Sequence, residues 1–571
     1  MKESTSVGAT GAPPRILIWI SGLVTVAGLV MMFVGAWNVG ATWDERTHVI
    51  MLQTFLEQGW NVTPDALLPD GTIDPNFIWG VYVYGPVGEL VAHASSALLG
   101  LESWGEPIYT AASTSGRHVG IALMGLLGVV ATALIVQLIL NSWKYALLGA
   151  ALLASIPLWI GHSMFNIKDL PVATGYTIGT LGLVALVHPR SRVRRRIRWG
   201  GASALALGAV LASGTREAMG APLAAAAVGV PLALFILRIR STEGDAATNA
   251  RDALSRSLWS VGALVVGYLG LVAIYPKAFA DPINLAWQAL VVSARFPFDE
   301  PVLTAGMWLD QPPPWSYLPL WFGAQLPLLI SAFALVAVIG WVMLVVRSFR
   351  PTQTWLAAGE TAMIFAVLLQ AFMMPVLGVL LRSNMYDAQR QFLFSVPALA
   401  VLAALGIRQA VAWIRSKDAS EWGTRMLWLI VGVGLVVPTI GQAFLMPYNY
   451  TYFNPVAAMG GINDRWATDY WRASSNELMR RTPSEGPEYC AFESGRKGEL
   501  SPCSVEQMFE PYVAQRGRDA RDGTLDEGGY WLIRENKSGT QEPADCELFD
   551  SVTRPLWGEE MVIGQIFRCS P

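Results

Sequence analysis

The run ILIWISGLVTVAGLVMMFVGAW (residues 16–37) is followed, after three residues, by ATWDERTH (residues 41–48). A run this long and this apolar covers, as one helix, the roughly 30 Å of a bilayer's hydrocarbon core. A short polar leader with Lys2 and Arg15 precedes it. It is too long for a signal-peptide core and lacks a small-residue cleavage site followed by a soluble domain, so it reads as a retained spanning helix. From a cytoplasmic amino terminus it carries Asp44 and Glu45 to the opposite face of the membrane.

The rest of the chain repeats the pattern. Of 571 residues, 53% are hydrophobic and only 15% charged, with a mean hydropathy of +0.40. For such a composition the lipid bilayer is the solvent. The net charge of -3 gives no reason to expect nucleic acid as a partner. About eleven spans are predicted, near 16–38, 117–141, 144–162, 171–188, 199–213, 220–237, 258–275, 316–346, 355–380, 391–413 and 424–445. The basic residues support that count, because they fall in the loops it assigns to the cytoplasm. These are Lys144; Arg190, Arg192, Arg194, Arg195, Arg196 and Arg198; Arg238 and Arg240; Arg347 and Arg350; and Arg415, Lys417 and Arg425. The expectation is an all-α multi-pass protein of the plasma (inner) membrane: a cytoplasmic leader (1–15), a membrane body (16–445) and an extracytoplasmic tail (446–571). The first outer loop, 39–116, carries juxtamembrane helices.

Cys490, Cys503, Cys546 and Cys569 all lie in that tail. Their clustering fits an oxidising compartment and up to two disulfides in any of three pairings. Alternating runs at Tyr530–Ile533 and Met561–Phe567 predict a small α/β or mostly β domain.

The outer loops carry few charges, and these sit in compact motifs. Asp44 and Glu45 stand in the first turn of an amphipathic segment, where a plain helix cap is the alternative reading. Phe165-Asn166-Ile167-Lys168-Asp169-Leu170-Pro171 joins two spans, with Asp169 at the predicted helix cap and Pro171 in the first turn. Gly214-Thr215-Arg216-Glu217 follows another span, and a local ion pair is its plain reading. Ser293-Ala294-Arg295-Phe296-Pro297-Phe298 lies in the longest late loop. Trp315 and Tyr317 read as an interfacial belt. Met385-Tyr386-Asp387-Ala388-Gln389-Arg390-Gln391 puts an arginine at an outer helix mouth, against positive-inside bias, which calls for a partner there. Carboxylates and the isolated cations Lys168, Arg216, Arg295 and Arg390 thus share one face. Such a face suits an anionic lipid headgroup beside a carboxylate that takes a proton from a nucleophile.

These motifs resemble the GT-C glycosyltransferases. The resemblance rests on the acidic pair after the first span, the Asn-x-x-Asp-x-Pro loop, and Tyr-Asp-x-x-Arg before a late span. It is nearest to the bacterial dolichyl-phosphate-mannose-protein mannosyltransferase-like group, which is similar to protein O-mannosyltransferases and aminoarabinose transferases. Tyr84-Gly85-Pro86, Pro314 to Trp321, Tyr452-Phe453-Asn454-Pro455 and Thr468-Asp469-Tyr470-Trp471 add to the likeness, which does not reach the cysteine-bearing segment. Gln391 departs from it, standing where relatives often carry His.

The resemblance implies a GT-C-like fold and a sugar donor carried on a polyprenyl phosphate, with a glycan, lipid or protein as acceptor. It implies Asp44 as general base, with Glu45 and Asp169 orienting the acceptor or sharing that role. Arg390 would bind the donor phosphate, helped by Lys168, Arg216 and Arg295, and Asn166, Tyr84, Tyr386 and Asp387 would line the pocket. No cofactor is expected; a divalent metal between Asp44 and Asp169 is weighed and not favoured, since the basic residues can do its work. Two other functions stay open: a flippase or transporter of lipid-linked sugars, and a non-catalytic scaffold for envelope assembly. The scaffold reading predicts that Asp44→Asn leaves function intact.

Overall fold

The computed structural model describes residues 11–74, 82–192, 194–239, 246–348, 355–417, 421–483, 487–494, 499–502, 504–517, 529–535, 543 and 545–570. Lys2, Arg240, Arg350 and Cys503 lie outside the described residues.

From the amino terminus the helices are α1 (Arg15–Asn38), two short amphipathic ones, α2 (Glu45–Gln58) and α3 (Val87–Leu98), then α4 (Ala111–Leu140) and the pair α5 (Trp143–Ala154) and α6 (Pro157–His162). Next come α7 (Asp169–Val187), α8 (Arg195–Ser213), α9 (Gly220–Ile239), α10 (Ala246–Ile274) and α11 (Pro282–Ala294). A two-stranded hairpin, β1 (Val302–Thr304) and β2 (Met307–Leu309), precedes α12 (Tyr317–Gln325) and α13 (Leu328–Ser348). Helix α14 (Trp355–Leu368) runs through a π turn into α15 (Met374–Leu380), and α16 (Ser395–Ser416) and α17 (Glu421–Leu445) close the bundle.

Helix α1 buries Leu17, Val24, Met32 and Ala36 while leaving Trp19 71% and Leu23 69% exposed. A helix apolar all round, with large side chains on its outer face, requires lipid there. Among the described residues nine helices are long and apolar enough to cross a membrane, and the chain is a multi-pass membrane protein.

Two predicted spans are not among those nine. The stretch 144–162 divides into α5 and α6 because Pro157 drives Ile156 out of helical backbone (ψ 108°). Helix α8 carries Arg195, Arg196 and Arg198 in its first turns. Both segments nevertheless return the chain to one end of the bundle: α4 leads away from the end where Asp44 lies, yet Lys168, just before α7, bonds Asp44. Arg216, just past α8, bonds Asp169 at the head of α7. The predicted span 316–346 is corrected. It breaks at Leu326 (φ -85°, ψ 140°), ahead of Pro327, into α12 and α13.

Helices α7 and α8 meet backbone to backbone. A Cβ added at Gly175 would lie 2.6 Å from Ala212 N, one at Gly182 would lie 2.5 Å from Leu205 N, and one at Gly208 would collide with Gly179 N. Small residues permit this approach where no hydrophobic effect drives helices together. It sets the offset between Asp169 and Arg216.

The tail forms a five-stranded mixed sheet in the order β4-β3-β5-β7-β6. The strands are β3 (Glu488–Ser494), β4 (Glu499–Pro502), β5 (Tyr530–Glu535), β6 (Cys546–Leu556) and β7 (Glu559–Cys569). Cys546 and Cys569 pair across β6 and β7 as a disulfide. The tail also bonds the helical body: Tyr109 Oη donates to Met508 O (2.5 Å) and Trp557 Nε1 to Phe453 O (2.6 Å).

Gly208→Leu is expected to force α7 and α8 apart at a cost of about 1–3 kcal/mol. Thermal unfolding of the purified full-length protein should show a lowered midpoint, while Gly200→Leu, where an added Cβ meets nothing within 4 Å, should leave it unchanged.

Candidate active site

Asp44 stands at the N-cap of α2, yet its side chain makes no capping bond. Its carboxylate meets Lys168 Nζ at 2.5 Å instead. Glu45 turns the other way, accepting from Thr42 N (3.0 Å) and Thr42 Oγ1 (2.9 Å) and facing His118 Nε2 at 2.8 Å. Adjacent acids therefore serve different surroundings.

Asn166 does the capping that the sequence assigned to Asp169. Its Oδ1 accepts from Asp169 N (2.9 Å) and Lys168 N (3.3 Å), and its Nδ2 donates to Asp169 Oδ2 (3.1 Å). With its cap role taken over, the buried Asp169 carboxylate is available to two arginines, Arg216 Nη2 at 2.8 Å and Arg390 Nη1 at 3.3 Å. The local Arg216–Glu217 pair does not form. Glu217 is buried, and neither of its carboxylate oxygens has a hydrogen-bond partner among the described residues.

Arg390 also bonds Asp387 Oδ2 at 2.8 Å. Asp387 and Ala388 both take left-handed backbone (φ 55° and 60°), a strained choice for side chains. Tyr317, buried and not interfacial, helps to hold that turn by donating to Ala388 O at 3.0 Å. Trp315, by contrast, is 73% exposed, as a belt residue should be.

Aromatic faces complete the cluster. Tyr84 lies under both Lys168 (5.2 Å) and Arg216 (5.1 Å), Tyr386 under Arg390 (5.2 Å), and Trp471 under both Arg390 (4.7 Å) and Lys168 (5.2 Å). Gly85 explains the Tyr-Gly-Pro motif. Gly85 N donates to Thr215 O (3.0 Å), and a Cβ there would collide with Gly214 O. The glycine thus brings Tyr84 against Arg216.

Two cavities of about 430 Å³ each share Tyr84, Phe296 and Tyr386. One is largely apolar, lined by Val172, Met219, Pro222, Leu290, Met374 and Leu377, with Asp169 and Arg216 in its wall. The other holds Asp44, His48, Lys168, Asp387 and Arg390, together with Trp43, Tyr470, Trp471 and Arg472. Arg216 Nε has no hydrogen-bond partner among the described residues. Arg295 is exposed at the end of α11 and lines neither cavity.

Burial alone would raise the Asp44 carboxyl, but Lys168, Arg390 and His48 outweigh it and hold Asp44 far below the ordinary carboxylate range. Burial would likewise strip Arg390 of its proton, and Asp387 and Asp169 overcome this, keeping the guanidinium firmly charged.

Of the residues singled out from sequence, Asp44, Lys168, Asp169, Asn166, Arg216, Tyr84, Tyr386, Asp387 and Arg390 come together; Glu45 and Arg295 do not. Trp43, His48, Trp471 and Arg472 were missed as pocket residues. The Thr468–Trp471 motif was the available signal for one of them: Asp469 accepts from Ala473 N and Ser474 N (3.0 Å each), fixing the turn that presents Trp471. Trp43 N then bonds Trp471 O (3.1 Å), and Arg472 stacks on Trp43 at 3.9 Å.

No family model matches this chain, and no curated protein does. Among solved structures it is similar over nearly its whole length to ArnT from Cupriavidus metallidurans bound to undecaprenyl phosphate, with 14% identity, 97% of this chain and 99% of that one covered, and a TM-score of 0.48. Apo ArnT scores 0.46 at 13% identity, with the same coverage. The protein O-mannosyltransferase Pmt1-Pmt2 complex of S. cerevisiae, bound to the sugar donor, scores 0.35 at 13% identity, with 52% of this chain and 41% of that one covered. These likenesses concern overall shape.

Asp169→Asn should leave the part-buried Arg216 without its carboxylate partner and the buried Arg390 with Asp387 alone, destabilising the protein by about 1–3 kcal/mol. Thermal unfolding of the full chain tests this; an unchanged midpoint would show that the pairing carries no such weight.

Proposed function

We propose that this protein is a membrane glycosyltransferase that moves a sugar from a polyprenyl phosphate to a hydroxyl acceptor on the extracytoplasmic face, with inversion at the anomeric carbon. The observation that carries the reading is the stand of Lys168, Arg216 and Arg390 between an apolar and a polar cavity, with Asp44 on the polar side. A prenyl chain fits the apolar cavity and its phosphate the cationic junction, where Arg216 approaches from the tail side and Arg390 and Lys168 from the other. The sugar and the acceptor then occupy the polar cavity.

The chemistry asks little more of the protein. The phosphate departs as a stabilised anion, so no second carboxylic acid is needed to protonate it, unlike in glycosidases. The acceptor oxygen bonds the anomeric carbon as the carbon–phosphate-oxygen bond breaks, and Asp44 takes the hydroxyl proton. The fixed cations stabilise charge growing on the phosphate. Asp44 and Asp169 each already face a cationic side chain, which supports charge neutralisation by Lys and Arg. In this reading α5–α6 and α8 complete eleven crossings, and the tail, 446–571, is an outer domain that walls the pocket. The acceptor is a glycan, lipid or protein of the cell envelope.

Mass spectrometry of the purified protein, incubated with a panel of polyprenyl-phosphate sugars and envelope extracts, should detect sugar transfer. Asp44→Asn should reduce it by about 10² to 10⁴-fold while binding of undecaprenyl phosphate persists; Arg390→Ala should weaken that binding. Transfer by Asp44→Asn at the wild-type rate, or no transfer by wild type across the panel, would overturn the reading.

A further inference from the structure

Asp44 poses a difficulty for the reaction just described. A carboxylate gripped by Lys168 at 2.5 Å and held far below its ordinary range is a weak base at neutral pH and keeps a transferred proton poorly. A better acceptor stands one helical turn away. His48 lines the same polar cavity as Asp44, and its Nδ1 lies 2.7 Å from Glu89 Oε1. Both side chains are about 95% buried, at 5% and 4% exposure.

We propose that His48 and Glu89 form a proton relay that receives the acceptor's proton from Asp44, an inference that rests on the transferase reading. The proton passes from the acceptor hydroxyl to Asp44 and on to the ring nitrogen of His48 not bonded to Glu89. The Nδ1 hydrogen stays on the ring and is donated to the Glu89 carboxylate, which stabilises the imidazolium. The polar cavity then returns the proton to water, and Asp44 is again a carboxylate. His48 is the relay residue, and Glu89 positions it.

The surroundings suit the task. His48 lines the polar cavity with Asp44 and Tyr84, the Tyr84 ring edge-on at 5.6 Å. On its inner side Glu89, Glu45, Arg117 and His118 share a space of about 10 Å³, at the lower limit for one water molecule. Glu89 therefore leans on His48 for its counter-charge, and burial lifts its carboxyl above the ordinary range even so. Glu45 is already engaged by His118 and Thr42, and Arg117 by Glu102 at 2.5 Å. That leaves His48 as an imidazole lining the polar cavity, with the buried Glu89 as its carboxylate partner.

The test is the pH profile of turnover for the full-length protein in nanodiscs with its polyprenyl-phosphate sugar. Wild type should lose activity on the acidic side of its pH profile, a limb that Asp44, ionised throughout, cannot produce. His48→Gln should lower kcat about 10²-fold, erase the limb and leave the donor KM unchanged. Glu89→Gln removes the charge that favours imidazolium, so the limb should move to lower pH, and Glu89→Asp should restore it in part. Loss of activity in His48→Gln with the limb retained, or an unmoved limb in Glu89→Gln, would assign the pair a structural role and overturn the relay. Absence of transfer by wild type would instead overturn the transferase reading on which the relay stands.

Discussion

The carboxylate of Asp169 bonds two arginines that reach it from distant parts of the chain, and the rest of the site takes its geometry from that junction. Arg216 comes from the end of α8 and Arg390 from the approach to α16, 221 residues along the sequence from Asp169. The buried Arg390 and the part-buried Arg216 repel each other, and either would be costly without a counter-charge in a weakly polar surrounding. One acid between them makes the arrangement tenable, and Asp387 supplies a second counter-charge to Arg390. The helix packing serves this junction. The glycine contacts between α7 and α8 bring Asp169 level with Arg216, and the left-handed turn at Asp387 and Ala388 aims Arg390 inward.

Aromatic rings let the cations stay charged without consuming their donors. Tyr84, Tyr386 and Trp471 present π faces to Lys168, Arg216 and Arg390, an attraction that leaves N–H groups free for an anion. A carboxylate in those positions would have neutralised the site. Trp471 belongs to the segment beyond the last spanning helix, so the tail closes a pocket that the bundle leaves incomplete. Asn476 Nδ2 ties that segment to Ala41 O at 2.6 Å, close to the loop that carries Asp44.

The neighbours Asp44 and Glu45 show how one helix start divides two acids between two surroundings. The side chains leave α2 in different directions, one toward Lys168 and the cavity, the other back to Thr42 and across to His118. Their adjacency in sequence suggested shared work. Their separation follows from the 100° or so that one residue turns around a helix axis.

The amino-acid sequence by itself determined that the chain lives in lipid, roughly where it crosses, and which charged motifs fall at one end of the bundle. Apolar run length and the spacing of basic loops are local properties, and the bilayer enforces them. Local signals also carried the helix start at Asp169–Pro171 and two of the tail's strands, β5 and β7. Tertiary structure alone decided that Asp169 serves Arg216 and Arg390 in place of capping α7, that Arg216 abandons Glu217, that Arg295 stays outside, and that His48 and Trp471 enter the pocket. Each of these depends on which distant group comes within about 3 to 5 Å of a side chain, the range over which hydrogen bonds and cation–π contacts act. Spacing along the chain does not encode that distance; helix crossing and the close approach of α7 to α8 set it.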